Sequence, residues 1–185
     1  MKGGIHAWNG LRATGTPEAG MAYLESVKGP DELFALAWLL EEGSRKFYEQ
    51  MSCREKDSEE IVLFENLQGD EEKHKTSLSG VYKEAFGKNP DPEFLRSLVS
   101  MEPGDEYLEG GIRLKEALEW SAGKDLKQIL EFSISLEVNA IDLYIKMERR
   151  VEGKEAKAVF QALTNQERNH LKRLSAALEN RVPPS

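Results

Sequence analysis

The sequence predicts an all-α protein, a four-helix bundle made of two helix hairpins joined by a long crossover. Three observations carry that expectation. Apolar residues recur at steps of three and four along four long segments, the period of a helix with one buried face. Proline and glycine mark the segment ends, at Pro30, Gly87 and Pro90, Gly153, and Pro183-Pro184. A polar skeleton occurs twice at one spacing: Glu41 stands thirty residues before Glu71-x-x-His74, and Glu137 thirty before Glu167-x-x-His170. Each member of the second copy lies 96 positions after its counterpart (41 and 137, 71 and 167, 74 and 170).

Residues 1–30 are glycine-rich, carry Pro17 and Pro30, and read as an irregular leader. Pro30 then opens the first long helix, expected over 31–53, with Asp31 and Glu32 near its positive end. The second is expected over 57–87, the third over 125–151 and the fourth over 154–180. A crossover over 88–124 links the hairpins, with short helices at 91–101 (Phe94, Leu95, Leu98, Val99) and 112–121 (Ile112, Leu114, Leu118, Trp120). Two hairpins related by a pseudo-two-fold need such a crossover. The apolar residues on it need a surface to cover, either the bundle's own side or a second copy of the chain. The bundle thus spans 31–180, and 181–185 form a tail.

The expected inward faces read Phe34, Ala37, Glu41, Ser44, Tyr48, Met51 on the first helix and Phe64, Leu67, Glu71, His74, Leu78, Val81, Ala85 on the second. The third gives Leu130, Ile134, Glu137, Ala140 or Ile141, Tyr144, Met147, and the fourth Phe160, Leu163, Glu167, His170, Leu174, Ala177. Apolar pairs keep the same 96-residue register: Tyr48 with Tyr144, Met51 with Met147, Phe64 with Phe160, Leu67 with Leu163, Leu78 with Leu174. On every face ionisable residues interrupt the apolar stripe. Four carboxylates buried without compensation would cost many kcal/mol or take up protons. Two divalent cations would balance their four negative charges, leaving two neutral imidazoles as further ligands. Glu and His at i and i+3 share a helix face, so the second and fourth helices can each turn both inward. Glu41, Glu71, His74, Glu137, Glu167 and His170 are therefore the candidate metal ligands. Tyr48 and Tyr144 lie two turns beyond Glu41 and Glu137, about 10 Å along the helix. Their hydroxyls either hydrogen-bond a carboxylate on the facing helix or pack at the bundle end.

These residues resemble the rubrerythrin branch of the ferritin-like superfamily. Glu41-x-x-Ser44-x-x-Phe47-Tyr48 is similar to that family's Glu-x-x-Ala-x-x-Phe-Tyr, and Glu137-x-x-Ala140-x-x-Leu143-Tyr144 repeats it. The two Glu-x-x-His elements complete a likeness that spans about 31–180. The resemblance implies two iron ions, with Glu71 and Glu167 bridging and Glu41, Glu137, His74 and His170 as terminal ligands. Manganese or zinc also suits such a donor set. It implies an oxidoreductase of the non-haem di-iron type that reacts with hydrogen peroxide or dioxygen. The family's extra carboxylate on the third helix is replaced here by Ala140. Its four-cysteine rubredoxin domain has no counterpart, because the chain holds one cysteine, Cys53. Electrons would then come from an external donor protein, and a homodimer is expected. Iron storage or delivery is an alternative, as is a metal-stabilised regulatory bundle fused to a sulfurtransferase. The stretch Lys2-Gly3-Gly4-Ile5-His6-Ala7-Trp8 resembles the end of a rhodanese domain, which implies a rhodanese fusion.

Composition narrows the remaining classes. With 33 acidic against 25 basic residues the formal charge is −8, and no basic run offers a nucleic-acid surface. A single cysteine excludes an internal disulfide and a thiolate zinc site, and no histidine lies near Cys53 in sequence to make it a nucleophile. The longest apolar run, Leu33 to Leu40, is too short for a bilayer span, and residues 1–20 lack a signal-peptide core. A cytoplasmic location without membrane contact is the expectation.

Overall fold

A computed structural model describes residues 24–99 and 105–181. The rhodanese-like stretch and nearly all of the expected tail lie outside the described residues. Among the described residues, after a short helical stretch at 24–26, six helices follow in order: α1 (Pro30–Arg54), α2 (Ser58–Phe86), α3 (Pro92–Leu98), α4 (Leu114–Ser121), α5 (Leu126–Arg150) and α6 (Lys154–Glu179). The four long ones are the expected bundle helices, each within a residue or two of its expected ends, and α3 and α4 lie in the crossover. Among the described residues the only β pairing is an isolated bridge between Tyr107 and Arg113. No described helix is long and apolar enough to cross a membrane.

Local chemistry sets the helix limits. Pro30 enters α1 where a missing N–H costs nothing, followed by Asp31 and Glu32 in the first turn. The Asp57 side chain caps α2 by accepting from the Glu59 N–H, and Gly87, at φ 69°, ends it in the left-handed conformation. Asp125 and Gln128 form a reciprocal capping box at the start of α5. Residues 24–26, assigned to an irregular leader above, are helical, and Leu24 and Val27 are buried. Arg150, at the end of α5, donates to the carbonyls of Leu24 and Val27 and ties this segment to the bundle.

The helices pack chiefly as two hairpins, α1 with α2 and α5 with α6. Two apolar clusters lie on either side of the ionisable residues. One contains Phe34, Leu40, Leu78, Leu143, Met147 and Phe160; the other contains Phe47, Met51, Phe64, Leu67, Leu130 and Leu174. The rings of Phe34 and Phe160 lie 5.2 Å apart, joining the hairpins across the first cluster. The crossover covers the bundle's own side. Leu95 and Val99 enter the first cluster, while Trp120 lies 4.9 Å from Phe132 beside the second.

Four stripe positions fall short of full burial, Val81 and Ala177 by being half-buried. Ala85 is exposed, and Tyr82 is buried in its place near the end of α2. Ile134 is only half-buried, and Ser133 faces inward. Steps of three and four approximate the 3.6-residue period, so over a long helix the buried line shifts by one position.

Candidate metal centre

α1 and α5 each bring one glutamate to the middle of the bundle, Glu41 and Glu137. α2 and α6 each bring a glutamate and a histidine one turn apart, Glu71 with His74 and Glu167 with His170. All four carboxylates are fully buried, and the imidazoles are 1 % and 2 % exposed. The structure places the six in two overlapping groups, Glu41-Glu71-His74-Glu167 and Glu71-Glu137-Glu167-His170, each with its donor atoms within 4.8 Å of one another. Glu71 and Glu167 belong to both groups. The imidazole rings stack with centroids 5.3 Å apart.

His74 Nδ1 lies 3.0 Å from one oxygen each of Glu41, Glu71 and Glu167. His170 Nδ1 lies 2.8 Å from Glu167 Oε2, 3.4 Å from Glu137 Oε2 and 3.5 Å from Glu71 Oε1. Most of these approaches are close but misaligned as hydrogen bonds. Both oxygens of Glu71, both of Glu167, Oε2 of Glu137 and Nδ1 of His170 are buried with no hydrogen-bond partner. Unsatisfied polar atoms are expensive in an interior. Their convergence on two points, with oxygen and imidazole donors, fits two divalent cations of the iron, manganese or zinc type.

The tyrosines reach across the bundle. Tyr48 on α1 donates to Glu137 on α5, and Tyr144 Oη on α5 lies 2.5 Å from Glu41 Oε1 on α1. In a metal centre, such contacts would orient Glu137 and Glu41 as ligands. Asp70, absent from the expected site, lies 3.4 Å from His170 Nε2 and is held by Arg173 at 2.7 Å. The corresponding nitrogen of His74, Nε2, is buried without a partner. The offset of 96 puts Gln166 where Asp70 would recur, so sequence symmetry offered no sign of this contact.

Glu109, in the crossover, is the second unforeseen group. It is 1 % exposed, with Oε2 accepting from Ser44 Oγ at 3.1 Å and Oε1 2.8 Å from Tyr144 Oη. Only its place in the folded chain brings it here, because its neighbours Gly110 and Gly111 give it the look of a solvated turn.

Without a cation, protons compensate the buried charge. Burial, then the charges of Glu167 and Glu41, push Glu71 well above the usual carboxylate range. Burial and the charge of Glu167 raise Glu137 to about 8. For Glu167, burial acts upward, but contact with His170 and His74 outweighs it and keeps this carboxyl low. Burial works against a charged His170, yet Glu71, Glu137 and Glu167 raise it to about 11; His74 is likewise raised, by Glu41, Glu167 and Glu71. A cation entering at neutral pH therefore displaces protons from Glu137 and both imidazoles, and Glu71 is shifted in the same direction. Each proton released makes affinity rise with pH. Zinc titrations are expected to release protons, with affinity falling as pH drops below about 11, where His170 gains its proton, and more steeply below about 8, where Glu137 does. A pH-independent affinity would show that the cation does not displace these protons.

The comparisons with known proteins bear on part of the chain. The rubrerythrin family model matches residues 128–184, which include Glu137, Glu167 and His170. The match supports a rubrerythrin-like, ferritin-like protein of the di-iron carboxylate, metal-binding class. It does not extend to the rhodanese-like leader. No curated protein matches the chain at a significant level. Among solved structures, a hypothetical protein from Pyrococcus furiosus, Pfu-1136390-001, is similar, with a TM-score of 0.60 and 22 % identity over 82 % of this chain and 89 % of that one. At that identity the likeness concerns the fold, an all-α ferritin-like bundle.

Proposed function

We propose that the protein is a di-iron carboxylate redox protein that reacts with hydrogen peroxide or dioxygen. The observation that carries this reading is the pair of buried ligand groups sharing Glu71 and Glu167, with their inward atoms unpartnered. Glu41 and His74 would complete one metal position, and Glu137 and His170 the other. When bound, a ferrous pair supplies the two electrons that, with two protons, reduce hydrogen peroxide to two waters. Glu71 and Glu167 would hold the two positions together, while Tyr48 and Tyr144 keep a proton directed at Glu137 and Glu41 respectively. The phenyl and aliphatic side chains above and below exclude bulk water from the layer. With a single, exposed cysteine the chain cannot build a four-thiolate iron site, so we assign electron supply to a separate protein or domain.

The test is anaerobic loading with ferrous iron followed by rapid mixing with peroxide. Uptake of two ions per chain and a fast rise in ferric absorbance are expected. Uptake without oxidation would remove the redox reading and leave the metal a structural part; failure to take up metal would remove the metal reading as well.

A further inference from the structure

The two halves of the centre are not equivalent, and the difference lies in Glu109. In the repeat Ser44 corresponds to Ala140 and Tyr48 to Tyr144. Tyr48 has one carboxylate partner, Glu137. Tyr144 has two, with Glu41 Oε1 at 2.5 Å and Glu109 Oε1 at 2.8 Å. The additional carboxylate arrives on a tight turn, closed by the Gly111 N–H to the Leu108 carbonyl at 2.7 Å. The turn is wedged between the helices: a Cβ on Gly43 would stand 2.1 Å from the Tyr107 carbonyl oxygen, and one on Gly110 would stand 2.9 Å from the Asn139 amide nitrogen. Glu109 is thus carried, 1 % exposed, on a turn that packs closely against α1 and α5.

A count of protons follows from this geometry. A tyrosine hydroxyl has one proton and donates to one acceptor. Two carboxylate oxygens within hydrogen-bond distance of Tyr144 Oη therefore need a second proton, or one of them is repelled. Ser44 Oγ already supplies its hydrogen to Glu109 Oε2, which leaves Oε1 to carry that second proton. The groups that act most strongly on Glu109 are the carboxyls of Glu41 from α1, Glu167 from α6 and Glu137 from α5. No ion pair among the described residues involves it. We propose that Glu109 is a neutral positioning residue of the centre: its Oε1–H donates to Tyr144 Oη, so that the Tyr144 proton is directed at Glu41 and the Glu41–His74 half differs from the Glu137–His170 half. Burial, reinforced by Glu41, Glu167 and Glu137, also raises the Glu109 carboxyl well above its ordinary range.

The inference rests on the metal-centre reading in that Tyr144 acts on a ligand, and the two can fail separately. The experiment is infrared difference spectroscopy of wild type minus Glu109→Gln, with both proteins loaded with zinc, which is redox-silent and strips the ligand carboxylates of protons. Glutamine is close to a neutral glutamic acid in shape and can donate to Tyr144 Oη, so the variant should fold and take up zinc within a few-fold of wild type. The expected signal is one carbonyl stretch of a buried protonated carboxylic acid, shifted in heavy water and absent from the variant. Ionised-carboxylate bands alone would overturn the proposal. So would a loss of zinc affinity as large as that of a ligand variant, which would make Glu109 a ligand. The same difference spectrum on metal-free protein should again contain the protonated band. A chain that takes up no zinc would thus defeat the metal reading while Glu109 is still tested.

Discussion

Glu71→Gln is expected to abolish uptake at both metal positions while the metal-free protein melts near the wild-type temperature. Glu71 is common to both ligand groups, and an amide brings neither the charge nor the second oxygen that a shared ligand needs. Loss of an outer partner of a ligand already costs about 10–100-fold in affinity, so loss of a shared ligand should exceed about 100-fold. Burial first, then Glu167 and Glu41, favour the neutral form of metal-free Glu71, and the amide resembles that form in shape. Glu167→Gln is the contrasting case. Glu167 is the carboxylate that both imidazoles approach most closely or equally, at 3.0 Å from His74 and 2.8 Å from His170. Its removal takes a counter-charge from both imidazoles, leaving Glu41 at 3.0 Å from His74 and Glu137 at 3.4 Å from His170 to balance them in part, a loss of up to about 3 kcal/mol. Isothermal titration with zinc and thermal melts of the metal-free proteins read both effects. Metal uptake by Glu71→Gln at wild-type affinity would refute a shared role for this carboxylate.

Gly43→Ala is expected to destabilise the protein, although helix propensity alone gives the opposite sign. Replacing a helical glycine by alanine is worth about 1 kcal/mol in favour of the helix, and Gly43 lies inside α1. The added Cβ, however, would stand 2.1 Å from the Tyr107 carbonyl oxygen and 2.7 Å from its carbon. Those are backbone atoms of the crossover, so no rotamer change relieves the contact. Overpacking of this kind costs about 1–3 kcal/mol, and each kcal/mol lowers Tm by about 2–4 °C for a chain of this size. The displacement would also draw Glu109 away from Ser44 and Tyr144. Gly80→Ala is the control, since a Cβ there meets nothing within 4 Å and should raise Tm slightly. A Gly43→Ala melt at or above the wild-type temperature would show that the crossover does not press on α1.

Both experiments probe the same distinction between helix-borne and crossover-borne groups. The six candidate ligands were legible because a helix imposes a rigid period. Glu41 and Glu137 fall on apolar stripes, each Glu-x-x-His shares one face, and the repeat at a constant offset made coincidence a poor explanation. Tyr48 and Tyr144 were legible as candidates, but choosing between a contact across the bundle and a place at its end needed the distance between α1 and α5. Helix ends were readable from proline, glycine and capping residues, because those effects act within a turn. Asp70 sits beside Glu71 and reads as a surface acid until α6 supplies His170 and Arg173. Glu109 follows no helical period, and no residue near it in sequence marks it as buried. Its position depends on how the crossover folds back against α1 and α5, through contacts such as Ser44 with Glu109, 65 residues apart. Periodic patterns encode which face of a helix is buried, whereas long-range packing alone sets what a loop presses against that face.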